Sequence, residues 1–172
     1  MTEKACVTFE LNGEPVEVWA WAHQTLLEVL RDTVGASEVK YGCGEGVCGT
    51  CTVLLDGETV NSCLLLAPQV AGRRITTVRG LEKEGQMHPL QEEFLRHAGS
   101  QCGFCTPGMI LAAFEFTEGH PGGGRDEIRQ ALAGNLCRCT GYTKILDAVE
   151  AYVSGHDRGP SSASARGGEI GE

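Results

Sequence analysis

The stretch Gly42-Cys43-Gly44-Glu45-Gly46-Val47-Cys48-Gly49-Thr50-Cys51 decides how the first half of the chain is read. Its three cysteines follow a C-x4-C-x2-C pattern, and a fourth, Cys63, comes after eleven intervening residues. That is the spacing with which four thiolates hold a 2Fe–2S cluster. Such a cluster is bulky and anionic, so the backbone must approach closely and point its N–H groups at sulfur. The glycines at 42, 44, 46 and 49 permit that approach and the positive φ values it demands. Four buried free thiols would account for the cysteines but not for the glycines interleaved with them.

Working outward, the flanking residues read as a small mixed α/β unit. Val7, Phe9 and Leu11 alternate with polar residues, Asn12-Gly13 turns the chain, and Val16 and Val18 resume the alternation, which is a hairpin pattern. Thr25 with Glu28 three residues later predicts a capping box, opening a short helix with Leu26, Leu27 and Leu30 inward. After the glycine loop, Thr52 to Leu55, Asp56-Gly57 and Glu58 to Ser62 predict a second hairpin that returns Cys63 to the loop. Ile75 to Val78 predicts one more strand. Trp19 and Trp21 are expected to pack in the core, and Cys6 to be an ordinary half-buried thiol.

The pattern changes near Gly80. Leu81 to Gln86 is polar and charged and reads as a linker; beyond it the periodicity is helical. His88-Pro89 introduces a helix with Leu90 and Phe94 inward. Further helices are expected over Thr106 to about Glu118, Asp126 to Ala133 and Thr143 to Val153, which together predict a compact bundle. The fold class is therefore α+β, with one domain over 1–80, a helical domain over 81–153, and an aperiodic, disordered tail over 154–172.

The helical half carries a second cysteine group, Cys102-x2-Cys105 and, after thirty-one residues, Cys137-x-Cys139. Each pair precedes a helix, with Thr106 or Thr140 placed to cap it. A helix N-terminus favours the deprotonated, metal-binding thiol. On spacing alone, a structural zinc ion competes with an iron–sulfur cluster here. The neighbouring glycine loop tips the reading toward iron, since two clusters in one chain make an electron relay. His23, His88, His97, His120 and His156 show no metal spacing and are read as structural or surface residues.

Composition narrows the function classes. Twenty-three acidic against fourteen basic residues give a net charge of −9, which argues against nucleic-acid binding. The longest apolar runs, such as Met109 to Phe114, are too short to span a bilayer. No charged-then-apolar leader opens the chain, which favours the cytoplasm. Nine cysteines in such a setting point to metal ligands rather than disulfides.

Three motifs now carry a specific resemblance: the loop Gly42 to Val53, Gln101-Cys102-Gly103-Phe104-Cys105-Thr106-Pro107-Gly108, and Asn135-Leu136-Cys137-Arg138-Cys139-Thr140-Gly141-Tyr142. In content and order, from about Val7 to Val153, the chain resembles the iron–sulfur subunit of the xanthine oxidase family of molybdenum hydroxylases. The resemblance implies an N-terminal ferredoxin-like β-grasp domain and a C-terminal four-helix bundle domain, each holding one 2Fe–2S cluster. It implies a large partner subunit carrying molybdopterin, often as the cytosine dinucleotide, and a medium subunit carrying FAD, with two heterotrimers paired. By that analogy electrons pass from molybdenum to the cluster on Cys102, Cys105, Cys137 and Cys139. From there they reach the cluster on Cys43, Cys48, Cys51 and Cys63, and then FAD. The chain itself would be a non-catalytic electron-transfer subunit. Gln101 matches a position whose amide bonds the pterin, and Cys139 the ligand whose sulfur approaches it. Thr50 stands where alanine or serine is commoner, with no consequence expected for ligation. The triple glycine 122–124 and the tail are also less usual. A free-standing two-cluster ferredoxin is the alternative, and a zinc-holding interaction module a third reading.

Overall fold

A computed structural model describes residues 3–120 and 122–155. Strands β1 (Lys4–Leu11) and β2 (Glu14–Trp21) form the expected hairpin, with Leu11 opposite Glu14 and the turn residues Asn12 and Gly13 at φ 54° and 88°. The alternating residues Val7, Phe9, Leu11, Val18 and Ala20 are buried. Thr25 then caps α1 (Leu26–Glu28), which continues as a π-helical turn through Thr33. The capping box is reciprocal: Thr25 N–H donates to Glu28 Oε2 at 2.7 Å, and Glu28 N–H donates to Thr25 Oγ1 at 3.2 Å. Leu26, Leu27 and Leu30 face the sheet as the sequence predicts.

The second hairpin comprises β3 (Thr52–Leu55) and β4 (Glu58–Asn61), and β5 (Arg74–Thr76) completes a five-stranded sheet in the order β2-β1-β5-β3-β4. β5 runs parallel to β1 and antiparallel to β3. Every residue of β3 is buried, because the strand serves two cores at once. Val53 and Leu55 point into the core shared with α1, whereas Leu54 points into the core built by the helices.

The second core gathers α2 (Pro89–Arg96), α3 (Thr106–Gly119), α4 (Arg125–Ala131) and α5 (Thr143–Gly155). α2 packs on α3 and α5, and α4 packs on the same two helices. Phe94, Met109, Leu111, Ile128, Ile145 and Val149 fill the space between them. Arg125 on α4 pairs with Asp147 and Glu150 on α5. His88 opens α2 as predicted, its Nδ1 accepting the Leu90 N–H at 3.2 Å. The sheet and helices are also tied by Glu115 on α3, which accepts the Thr59 N–H at 3.1 Å and the Thr59 hydroxyl at 2.6 Å.

Several expectations are corrected. The last strand ends at Thr76, and Val78–Leu81 forms a 3-10 turn. Leu81 is buried in the helical core, so it does not belong to the polar connection that follows it. Trp19 is 60% exposed rather than packed, and Cys6, its partner across the hairpin, is exposed rather than half-buried. Both sit on the sheet face opposite Val7 and Val18, which strand alternation turns away from the core. Of the expected tail, Ser154 and Gly155 complete α5, and the remainder, with His156, lies outside the described residues. Among the described residues no helix is long and apolar enough to cross a membrane.

Candidate metal centres

The glycine loop between α1 and β3 wraps the first cysteine group. Gly44, Gly46 and Gly49 adopt φ between 66° and 75°, which sends successive N–H groups inward. Cys43 N–H donates to Cys48 Sγ at 3.4 Å, and Glu45 N–H donates to Cys43 Sγ at 3.3 Å. The Glu45 N–H, aided by the Cys48 side chain and the Val47 N–H, draws the Cys43 thiol down to about 6. Cys51 and Cys63 meet deeper in the fold and are both buried. Burial, with Cys51 alongside, pushes Cys63 up to about 11.

The second group is assembled from two loops. Cys102 and Cys105 precede α3, and Cys137 and Cys139 precede α5; the helix packing brings them together. Cys139 Sγ lies 3.6 Å from Cys102 Sγ, and both are exposed. Cys105 faces Cys137 on the inner side, and burial together with that neighbour raises Cys105 to about 12. Burial would raise Cys137 too, but the Thr140 hydroxyl and the Thr140 and Cys139 N–H groups outweigh it and hold the thiol below its ordinary value. Cys102 beside Cys139 holds that thiol above its ordinary value.

Within the groups the Cys102 and Cys139 sulfurs lie 3.6 Å apart, while Cys48 acts on the Cys43 thiol, Cys51 on Cys63, and Cys137 on Cys105. Among the described residues no three His, Cys, Asp or Glu side chains converge on one metal-ion position. A tetrahedral zinc site needs four donors around a single point. A 2Fe–2S cluster instead distributes its four cysteines over two irons. Within each group, moreover, at least one thiol is pushed down and another up, so the sulfurs cannot all ionise cheaply without a cation among them.

Both capping expectations are corrected. Thr106 does not cap α3: its hydroxyl donates to Ser100 Oγ at 2.9 Å, and Cys105 occupies the cap position without a side-chain bond. Nor is Thr140 at the cap position of α5, which begins at Thr143; its hydroxyl accepts the Tyr142 N–H at 3.1 Å instead. Gln101 is exposed beside Cys102. Sequence reasoning missed three participants. Asn135 is buried and donates to the Gly49 carbonyl at 2.8 Å, Leu136 N–H donates to the Cys48 carbonyl at 2.9 Å, and the Thr50 hydroxyl lies 3.2 Å from Cys48 Sγ. In the sequence they stand in the cysteine motifs, which says nothing about the direction a side chain or N–H takes.

Comparison with known proteins agrees with this construction. Residues 9–76 match the family described as a 2Fe-2S iron-sulfur cluster binding domain, and residues 77–150 match the 2Fe-2S binding domain family. The chain is 46% identical to the nicotine 6-hydroxylase small subunit of Paenarthrobacter nicotinovorans over 86% of its own length and 89% of that protein's. It is 43% identical to the nicotinate dehydrogenase small FeS subunit of Eubacterium barkeri, over 87% and 96%. A chain of quinoline 2-oxidoreductase from Pseudomonas putida 86 superimposes with a TM-score of 0.86 at 41% identity, covering 90% of this chain and 96% of that one. Motif order, domain matches and near full-length identity agree, and the chain belongs to the iron–sulfur small subunits of the xanthine oxidase family of molybdenum hydroxylases, non-catalytic electron-transfer subunits of multi-subunit oxidoreductases.

Proposed function

We propose that the chain relays electrons between a molybdopterin centre on a large partner subunit and FAD on a medium one. Cys43, Cys48, Cys51 and Cys63 hold one 2Fe–2S cluster, and Cys102, Cys105, Cys137 and Cys139 hold the other. The presence of four cysteines in each of the two regions that match 2Fe–2S binding families carries this reading. When bound, each cluster supplies a one-electron couple; the protein supplies ligands, burial and hydrogen bonds that set its potential.

The neighbour relations of α2 to α5 support the four-helix bundle that the family implies. Exposure distinguishes the two ends of the relay. Cys102, Cys139 and Gln101 lie at the surface, where Gln101 can offer its amide to a pterin, as the molybdopterin cytosine dinucleotide, and Cys139 its sulfur. Phe104 and Leu136 are exposed beside them, and Tyr41, Val47, Leu64 and Leu66 around the first loop. Apolar side chains left in water around both sites suit a subunit covered by partners, rather than a freely diffusing carrier. The assembly proposed is a cytoplasmic dimer of heterotrimers.

The test is the composition of the native complex purified through a tag on this chain. Four irons per copy, with molybdenum and FAD in step and two larger chains, is the expected result. Four irons with neither partner would favour the free ferredoxin. Two irons and one zinc would overturn the assignment of the second cysteine group.

A further inference from the structure

Among the described residues one backbone hydrogen bond joins the two cysteine motifs, from the Leu136 N–H to the Cys48 carbonyl at 2.9 Å. A continuous path therefore runs from Cys48 Sγ to its carbonyl, across that bond, and along the Leu136 backbone into Cys137. The contact is held in register from both sides. Asn135 Nδ2 donates to the Gly49 carbonyl at 2.8 Å and to Thr52 Oγ1 at 3.2 Å. A Cβ on Gly108 would come within 2.4 Å of the same Gly49 oxygen, so α3 abuts the loop with no space between them.

The two cysteines at the ends of this path share a further feature. Thr50 Oγ1 lies 3.2 Å from Cys48 Sγ, and Thr140 Oγ1 lies 3.1 Å from Cys137 Sγ. A metal-bound thiolate can only accept, so in each contact the proton belongs to the threonine. At Thr140 the oxygen also accepts the Tyr142 N–H, which holds the hydroxyl in place beside sulfur. At Thr50 the hydroxyl cannot be replaced by water. The residue is 6% exposed, and a Cβ on Gly42 would meet Thr50 Oγ1 at 2.4 Å and Cys48 Sγ at 2.8 Å. Among the described residues, these are the two side-chain hydroxyls that reach cysteine sulfur.

We infer that Thr50 and Thr140 are positioning residues that set the electron energy at the two facing corners of the relay. Each hydroxyl stabilises the negative charge added on reduction at its own cysteine, and so raises the reduction potential of its own cluster. The inference rests on the ligand assignment proposed above. It adds that the driving force between the clusters is the difference of two matched contributions. Removing one hydroxyl therefore shifts that driving force in one sense, and removing the other shifts it in the opposite sense.

The experiment is a redox titration of the purified complex, following the EPR signal of each cluster, with the signals assigned through cysteine-to-serine variants. Thr50→Val should lower the midpoint of the first cluster alone, and Thr140→Val that of the second alone. The expected change is about three- to tenfold in the reduced-to-oxidised ratio at fixed potential, tenfold being 59 mV for a one-electron couple. Thr50→Ser and Thr140→Ser, which keep the hydroxyl, should restore the original midpoints. Thr50→Ala gives a hydroxyl-free variant without steric demand should the valine disturb the loop. Midpoints unmoved in valine and alanine variants that retain full iron would overturn the inference and leave the ligand assignment standing. An unmutated complex lacking two distinct 2Fe–2S signals would overturn the assignment and the inference with it.

Discussion

Cys43, Cys48 and Cys51 lie on one uninterrupted loop whose shape is dictated by its own glycines, and Cys63 returns to it along a short hairpin. Cys102 and Cys139 come from loops far apart in sequence and meet because α3 and α5 pack into one core. The first group is also the more enclosed: Cys51 and Cys63 are buried, whereas Cys102 and Cys139 are exposed. One site is thus specified locally by backbone conformation and the other globally by helix packing. The difference predicts that damage to the second site should leave the first intact, while damage at their junction should reach both.

Cys137→Ser is the sharpest way to test that asymmetry. It should cost half the bound iron and one of the two EPR signals, the other staying at full intensity; loss of both signals would break the comparison. Gly49→Ala attacks the junction instead. Alanine would need left-handed backbone at φ 66°, costing about 1–2 kcal/mol, and its Cβ would meet the Gly134 carbonyl at 2.4 Å. With overpacking of about 1–3 kcal/mol added, a loss of about 3 kcal/mol is expected in denaturant unfolding, with both cluster signals perturbed.

Asn135→Ala removes the amide that joins the loops and leaves the Gly49 carbonyl without that donor. A loss of about 1–3 kcal/mol is expected, and the spectra of the two clusters should change together. Asn135→Asp, which cannot donate, should not recover it. The smallest effect belongs to a change confined to the first domain. Thr25→Ala removes the α1 cap, costing about 1 kcal/mol; hydrogen exchange should quicken at residues 26–30 and stay unchanged across α3 and α5.

The same contrast explains what was legible in the sequence. The first hairpin, the α1 cap and the glycine loop are encoded by neighbours: Asn12-Gly13, Thr25 with Glu28, and glycines alternating with cysteines. The helix positions of the second half were also readable, because Leu90 and Phe94, or Ile145 and Val149, repeat at helical spacing. The choice between zinc and iron at the second cysteine group was not readable from spacing alone; the neighbouring glycine loop and the motifs around the cysteines decided it for iron. Trp19 defeated its expectation because aromatic composition alone does not reveal which face of a strand is left uncovered. Thr106 and Thr140 occupy equivalent places after a cysteine pair, yet only Thr140 turns back to sulfur; Thr106 finds Ser100 instead. Asn135 and Leu136 act on a loop whose position exists only after the two cores have met.

That last dependence also has a consequence in time. Asn135 docks on the carbonyl of a residue 86 positions earlier, and Gly108 closes on the same atom. Contacts of such separation form late, because the intervening chain must first be ordered. The loop around Cys43 to Cys51 sits in a sheet that is complete once β5 (Arg74–Thr76) is in place, and N-terminal units fold first during translation. That loop is then the older surface, and the segment from Asn135 to Cys139 is shaped against it rather than the reverse.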